Sequence, residues 1–241
     1  MPSTHAFSEK VALITGGTTP IGRAVAMQLA LCGAYVVVAY PAGDPSVSDI
    51  EVLKALGTLA AAAEYKERGI NGAIEITDAV EKLYGRLDLL VNCNLDLDLK
   101  QFREMTGDDF AAVVENRFES TFFNTKECLR LMEQRPKPRI VNIFSACDGE
   151  LSGRDIIARA ISASISEFTK ALSDQLPDSF RVNGIRVSEI SRKQDDAPGP
   201  DPDLFRLEEG IDPDDVARCA LFLLSSEAVG LRGQILDVGA S

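Results

Sequence analysis

The stretch that most constrains this chain runs from Val11 to Gly33. An apolar run, Val11-Ala12-Leu13-Ile14, stops at Thr15-Gly16-Gly17. Apolar residues then recur at Ile21, Val25, Leu29 and at Ala24, Met27, Leu31, which is helical spacing. Gly33 closes that helix, and Tyr35-Val36-Val37-Val38-Ala39 begins a second strand. Strand, glycine turn, helix and strand make one βαβ unit, the opening half of a doubly wound parallel sheet. Such a turn aims backbone N–H groups and the positive end of a helix at a phosphate. Pro20 stands where the helix begins. Proline suits the first helical turn, but it has no N–H to donate and its ring fills space that a glycine leaves open.

The remaining elements alternate in the same way. Residues 58–65 read as a strand of small residues, although alanine favours helix. Residues 48–56 read as a short helix, and 69–84 as a longer one ended by Gly85. Leu87 to Asn92 is a buried strand leading into Asn92-Cys93-Asn94-Leu95. Residues 106–132 form the longest helical pattern, opened by a capping-box pair, Thr106 and Asp109. Its Phe110, Val114, Phe118 and Phe122 share a face, and the tandem Phe122-Phe123 covers more than one face. Arg139 to Phe144 is a strand ended by Ser145, residues 154–176 a helix, and Phe180 to Val187 a strand. A helix from Asp212 to Ser225, with Pro213 at its start, and a last strand from Gly233 to Gly239 follow. The expected architecture is a single α/β domain, a Rossmann-type sheet with helices on both faces, preceded by a tail at residues 1–9.

Charge and composition narrow the function. The chain carries 25 basic and 37 acidic residues, a net charge of -12. Nucleic acid and anionic membrane surfaces call for basic patches instead. No run approaches the roughly 18 apolar residues of a membrane span. The N-terminus, MPSTHAFSEK, lacks a basic-then-apolar signal layout, so a cytoplasmic location is expected. Five cysteines are scattered without a CxxC pair, which reads as reduced thiols. The only histidine is His5, which argues against histidine-based catalysis and His-rich metal sites. Asp96 and Asp98 form a carboxylate pair that reads as a solvated loop. Residues 192–215 hold four prolines and nine acids and read as a solvated loop or lid.

Thr15-Gly16-Gly17-Thr18-Thr19-Pro20-Ile21-Gly22 resembles the TGxxxGxG turn of the short-chain dehydrogenases/reductases, and the resemblance spans Lys10 to Val238. It keeps Thr15, Gly16 and Gly22 and replaces the middle glycine with Pro20. Asn92-Cys93-Asn94-Leu95 corresponds to the family's NNAG. Asn92 is retained to brace the sheet, and Leu95 fills space that the cofactor approaches. Tyr40 stands at the position of the acid that holds the NAD ribose. Asp44 lies beyond a Pro-Gly turn, where it repels a phosphorylated ribose. Asn116 and Ser145 match the family's catalytic-site asparagine and serine. The tyrosine is expected thirteen residues after the serine and the lysine four later, at Ala158 and Ser162. No tyrosine occurs after Tyr84, and Lys170 is two turns beyond Ser162. Val187-Ser188 replaces the family's Pro-Gly ending beside the nicotinamide.

Carbonyl reduction by hydride needs a proton donor and a charge that lowers its pKa. Ala158 has no proton to give and Ser162 carries no charge. The resemblance therefore implies a catalytically inactive subunit that binds no cofactor itself. It implies pairing, through the 106–132 and 154–176 helices, with an active paralogue that carries NAD, since such hetero-oligomers occur in the family. Two alternatives stay open. One is an active NAD(P)-dependent oxidoreductase with a displaced acid at Tyr40, Tyr65 or Tyr84. The other is a ligand-sensing protein that uses the emptied pocket.

Overall fold

The computed structural model describes residues 6–44, 60–93, 95, 100–146, 155–188 and 211–239. His5, the 48–56 helix, the Asp96/Asp98 pair and the 192–210 part of the acidic loop lie outside these residues. Seven strands form one parallel sheet: β1 (Val11–Thr15), β2 (Tyr35–Pro41), β3 (Ala60–Tyr65), β4 (Leu89–Cys93), β5 (Arg139–Ala146), β6 (Arg181–Ser188) and β7 (Ile235–Val238). Their order across the sheet is β3-β2-β1-β4-β5-β6-β7. The order reverses between β1 and β4, the crevice where doubly wound sheets bind ligands.

Helices cover both faces. On one face α1 (Pro20–Leu31) and α6 (Pro213–Leu224) pack together over Ile14, Val38, Val91 and Val141. On the other, α2 (Gly69–Tyr84), α4 (Ser120–Met132) and α5 (Asp155–Gln175) cover Leu13, Leu90, Ile140 and Val182. A strand buried on both faces is apolar throughout, which is why β1 lacks polar alternation. All five of its residues are buried.

Alanine-rich β3 is a strand because of its neighbours, not its propensity. Six consecutive residues pair with β2, from Val36↔Ala60 to Pro41↔Tyr65. Gly72 lets the first turn of α2 fold back on the turn after β3: a Cβ there would lie 2.1 Å from the carbonyl oxygen of Glu67.

The long 106–132 pattern departs from one regular helix. It starts as α3 (Gly107–Val114), with the Thr106–Asp109 capping box formed in both directions. It then widens into a π-helical segment, Glu115–Glu119, before resuming as α4. Such segments are frequent at functional sites, and Asn116 lies inside this one. The strand carrying Ser145 also continues one residue further than the sequence suggests, to Ala146.

Two polar networks fix the sheet. At the N-terminal edge, buried Asp88 accepts from the backbone N–H of Val11 at 3.1 Å and from Arg135 Nε at 2.9 Å. Lys10 and Arg86 lie within 3.6 and 3.8 Å of the same carboxylate. At mid-sheet, Thr15, Asn92 and Asn142 are aligned by register on β1, β4 and β5. Thr15 Oγ1 donates to Asn92 Oδ1 at 3.2 Å. Asn92 Nδ2 donates to Asn142 Oδ1 at 2.9 Å and to Thr125 Oγ1 on α4 at 3.0 Å. Asn142 Nδ2 donates to Thr169 Oγ1 on α5 at 2.9 Å. The brace expected of Asn92 is therefore a ladder across three strands, tied to two helices.

Candidate functional site

The glycine turn keeps its backbone shape. Gly16 has a φ of 63°, in the left-handed region. A Cβ on Gly22 would sit 2.3 Å from the Gly16 carbonyl oxygen, so only glycine lets α1 begin this close to β1. The donors of the turn are largely spent, however. Thr19 is the N-cap of α1: its Oγ1 accepts from the Gly22 N–H at 3.1 Å. Its carbonyl accepts from the Arg23 N–H at 2.9 Å. Pro20 occupies the first helical position and has no N–H. Three of the first four positions of α1 thus offer nothing to an incoming phosphate.

A carboxylate also stands at this turn. Thr18 Oγ1 donates to Asp44 Oδ2 at 2.9 Å. The turn after β2 brings Asp44 onto the glycine loop. A unit negative charge within about 5 Å of a carboxylate meets ~3 kcal/mol of repulsion near a protein surface. Tyr40 is the last but one residue of β2, and its ring is buried in the core cluster with residues of α1.

These groups border a crevice of about 320 Å³ over the C-terminal ends of β1 to β4. Thr15, Gly16, Thr18 and Thr19 form one wall, and Asp44, Tyr65, Glu67 and Arg68 another. Cys93 and Leu95 form the floor toward β4, and Glu115, Asn116, Ser120 and Asn124 close the far side. Leu95 lines the β4 end of the crevice, 7% exposed and packed into the core cluster. Burial pushes the Cys93 thiol up to about 12, against the lowering effect of its contact with Thr19, and leaves it unreactive. Burial also raises the Tyr65 phenol; Arg68 lowers it and Asp44 raises it further.

The matched catalytic positions are gathered at β5 and α5. Ser145 is 4% exposed, and its Oγ has no hydrogen-bond partner among the described residues. A serine bonded to backbone, the plain expectation at a strand end, is therefore not what β5 carries. Ala158 is fully buried and Ser162 nearly so. Lys170 points outward and pairs with Glu167 at 2.6 Å, on an exposed face of α5. Asn116 lines the crevice, whereas Ser145, Ala158 and Ser162 do not. Among the described residues no cluster of ligating side chains could hold a metal ion. No described helix is long and apolar enough to cross a membrane.

Comparison with known proteins fits this architecture. Residues 10–193 match the short chain dehydrogenase family, and the chain belongs to it. It is 29% identical over 240 residues to the 3-oxoacyl-[acyl-carrier-protein] reductase FabG of Aquifex aeolicus, covering 95% of each chain. It is 26% identical over 211 residues to the short-chain dehydrogenase/reductase FrzI of a Cladobotryum species, covering 87% of this chain and 78% of that one. A short chain dehydrogenase from Burkholderia cenocepacia, solved in complex with NADP, superposes with a TM-score of 0.83 at 23% identity and covers 98% of each chain. A dehydrogenase/reductase from Sinorhizobium meliloti gives the same TM-score at 24% identity, over 99% of this chain and 97% of that one.

The sequence reading missed two features of the site. Thr19 could have been recognised as an N-cap by its position before Pro20. The Thr18–Asp44 contact had only a weak signal, an acid three residues past a strand end.

Proposed function

We propose that this chain is a non-catalytic member of the short chain dehydrogenase family. In this reading it binds no dinucleotide and assembles into a heterotetramer with an active, NAD-dependent paralogue. The observation that carries it is the closed start of α1: Pro20, the Thr19 cap and the Asp44 carboxylate together leave a diphosphate few donors and a like charge to meet. Ala158 and Ser162 add an independent loss, because neither can protonate an alkoxide.

The pairing surface is the face of α3, α4 and α5 formed by residues 106–132 and 154–176. Phe118, Phe122 and Phe168 pack against one another with centroids 5.5 to 6.3 Å apart. Phe122 is 36% exposed, Phe110 50% and Ile156 48%. Exposed large apolar side chains on these helices are what a protein partner would cover. The sequence, with its catalytic positions replaced, resembles the second subunit of the dehydrogenase of anaerobic toluene breakdown acting on 2-[hydroxy(phenyl)methyl]succinyl-CoA, which lacks the catalytic set. That resemblance suggests an aromatic acyl-CoA alcohol as the substrate class of the complex and a cytoplasmic setting.

The names of the relatives, reductases and dehydrogenases, favour a second reading: an active oxidoreductase with a displaced acid. Its candidate phenols are poorly placed. Tyr65 alone lines the crevice, on a strand four spacings from β5, about 19 Å away. Its pKa is raised, opposite to what an acid at neutral pH needs. Tyr40 is in the core, and Tyr84 stacks on Tyr35 at 5.5 Å.

Native mass spectrometry of the chain, alone and co-expressed with a paralogue carrying intact TGxxxGxG and YxxxK motifs, tests the proposal. The expected result is a mixed tetramer that takes up NAD(H) only in the paralogue. A homo-oligomer with one NAD(H) per chain overturns it.

A further inference from the structure

At the rim of the sheet opposite the crevice, β5 and β6 each begin with an arginine, Arg139 and Arg181. The two are partners in register, and paired residues of neighbouring strands project to the same face about 5 Å apart. We propose that these two guanidinium groups seat a small inorganic anion of chloride size, which joins the two strands where they start. The proposal stands whether or not the chain catalyses.

Burial sets this pair apart from surface arginines. Arg139 is 5% exposed, and its Nη1 has no hydrogen-bond partner among the described residues. Burial first, and the charge of Arg181 second, hold the Arg139 pKa below its ordinary value. A guanidinium nevertheless keeps its proton in proteins, so it cannot shed a buried charge by titration. A buried ion is tolerated when an opposite charge accompanies it.

The anions of this rim are engaged elsewhere. The Asp88 carboxylate accepts from Val11 and Arg135 and lies near Lys10 and Arg86. Asp178 pairs with Arg232. Arg181 is held by carbonyl oxygens: its Nε donates to Val229 at 2.6 Å, and its Nη1 to Asp178 and Phe180 at 2.6 and 2.8 Å. Those bonds orient the Arg181 fork and bring no negative charge to it. Among the described residues no carboxylate forms an ion pair with either arginine.

Enclosure selects the ligand. An anion beside a side chain this buried gives up most of its water. That cost is lower for a monovalent halide than for a doubly charged sulfate or phosphate.

Thermal unfolding of the full chain in potassium chloride and in potassium gluconate, at one ionic strength, tests the proposal alongside chlorine NMR. Chloride is expected to raise Tm over gluconate by at least about 3 °C. The chain is also expected to broaden the chlorine resonance, and bromide to reverse the broadening. Arg139→Met, which keeps the length of the side chain and removes its charge, is expected to lose both effects. Arg181→Met, in the less buried partner, is expected to lose most of the broadening and supplies the test if Arg139→Met does not fold. Equal melting of the native chain in the two salts overturns the seat. So does a chloride shift or broadening of native size in either folded variant, because the anion then acts elsewhere.

Discussion

Asn142 and Ser145 lie three residues apart on β5, and both are buried polar side chains. Asn142 bonds through its oxygen and its nitrogen, to Asn92 and to Thr169. Ser145 Oγ bonds to nothing among the described residues. A buried polar group without a partner costs about 1–3 kcal/mol, so few persist without a reason. The ladder at mid-sheet is what the fold itself requires. The strand end carries Ser145, a buried hydroxyl that the ladder does not reach. The same contrast separates Gly22, still fitted against Gly16, from Pro20 two residues earlier, which keeps the helix but not the donor.

Two substitutions separate the bonded ladder from the unbonded strand end. The largest effect is expected from Asn92→Ala. It removes three side-chain bonds and strands the Asn142 oxygen in the sheet interior. A loss of about 3–4 kcal/mol is expected, read as a fall in Tm of roughly 10 °C by circular dichroism. Ser145→Ala should leave stability unchanged or raise it, because it deletes a buried hydroxyl that has no partner among the described residues. A Tm drop in Ser145→Ala as deep as that in Asn92→Ala would abolish the distinction between ladder and relic.

The smallest expected effect is at the capping box of α3. Asp109 accepts from the Thr106 N–H and hydroxyl and from Lys100, which hold its carboxyl well below the usual range. A depressed carboxylate pKa gives a contribution present above the unfolded value, near about 4, and lost as pH falls through the folded one. Amide exchange at the start of α3 should therefore quicken below about pH 4. Asp109→Asn should remove that pH dependence without altering the melting of the sheet; an unchanged pH profile in this variant would disprove the role of the box.

Much of this fold can be read from local pattern, for reasons visible residue by residue. The apolar run of β1 and the Thr106–Asp109 pair encode their structures within a few positions of chain. The alanines of β3 do not; they become a strand through β2 alongside. The π-helical turn at Glu115–Glu119 has no composition signal, since one residue of excess winding leaves the periodicity of a long helix almost intact. At the site, substitutions such as Ala158 and Ser162 are legible because a missing side chain is a local fact. The Thr18–Asp44 contact spans 26 residues and depends on the path of the chain after β2, and Tyr40 is buried because β2 continues past it. What lies between elements is where sequence alone falls silent.

The Asp88 knot has a consequence for biosynthesis. The first strand is a central one, with β2 on one side and β4 on the other. Its second edge can be covered only when Asp88, 77 residues downstream, has left the ribosome. At 5–20 residues per second that interval lasts roughly 4–15 s. During it the nascent chain displays an apolar strand with unpaired backbone, the template on which other chains aggregate. Before any assembly of folded chains, the nascent chain must survive this exposure, when its own fourth strand is what is missing.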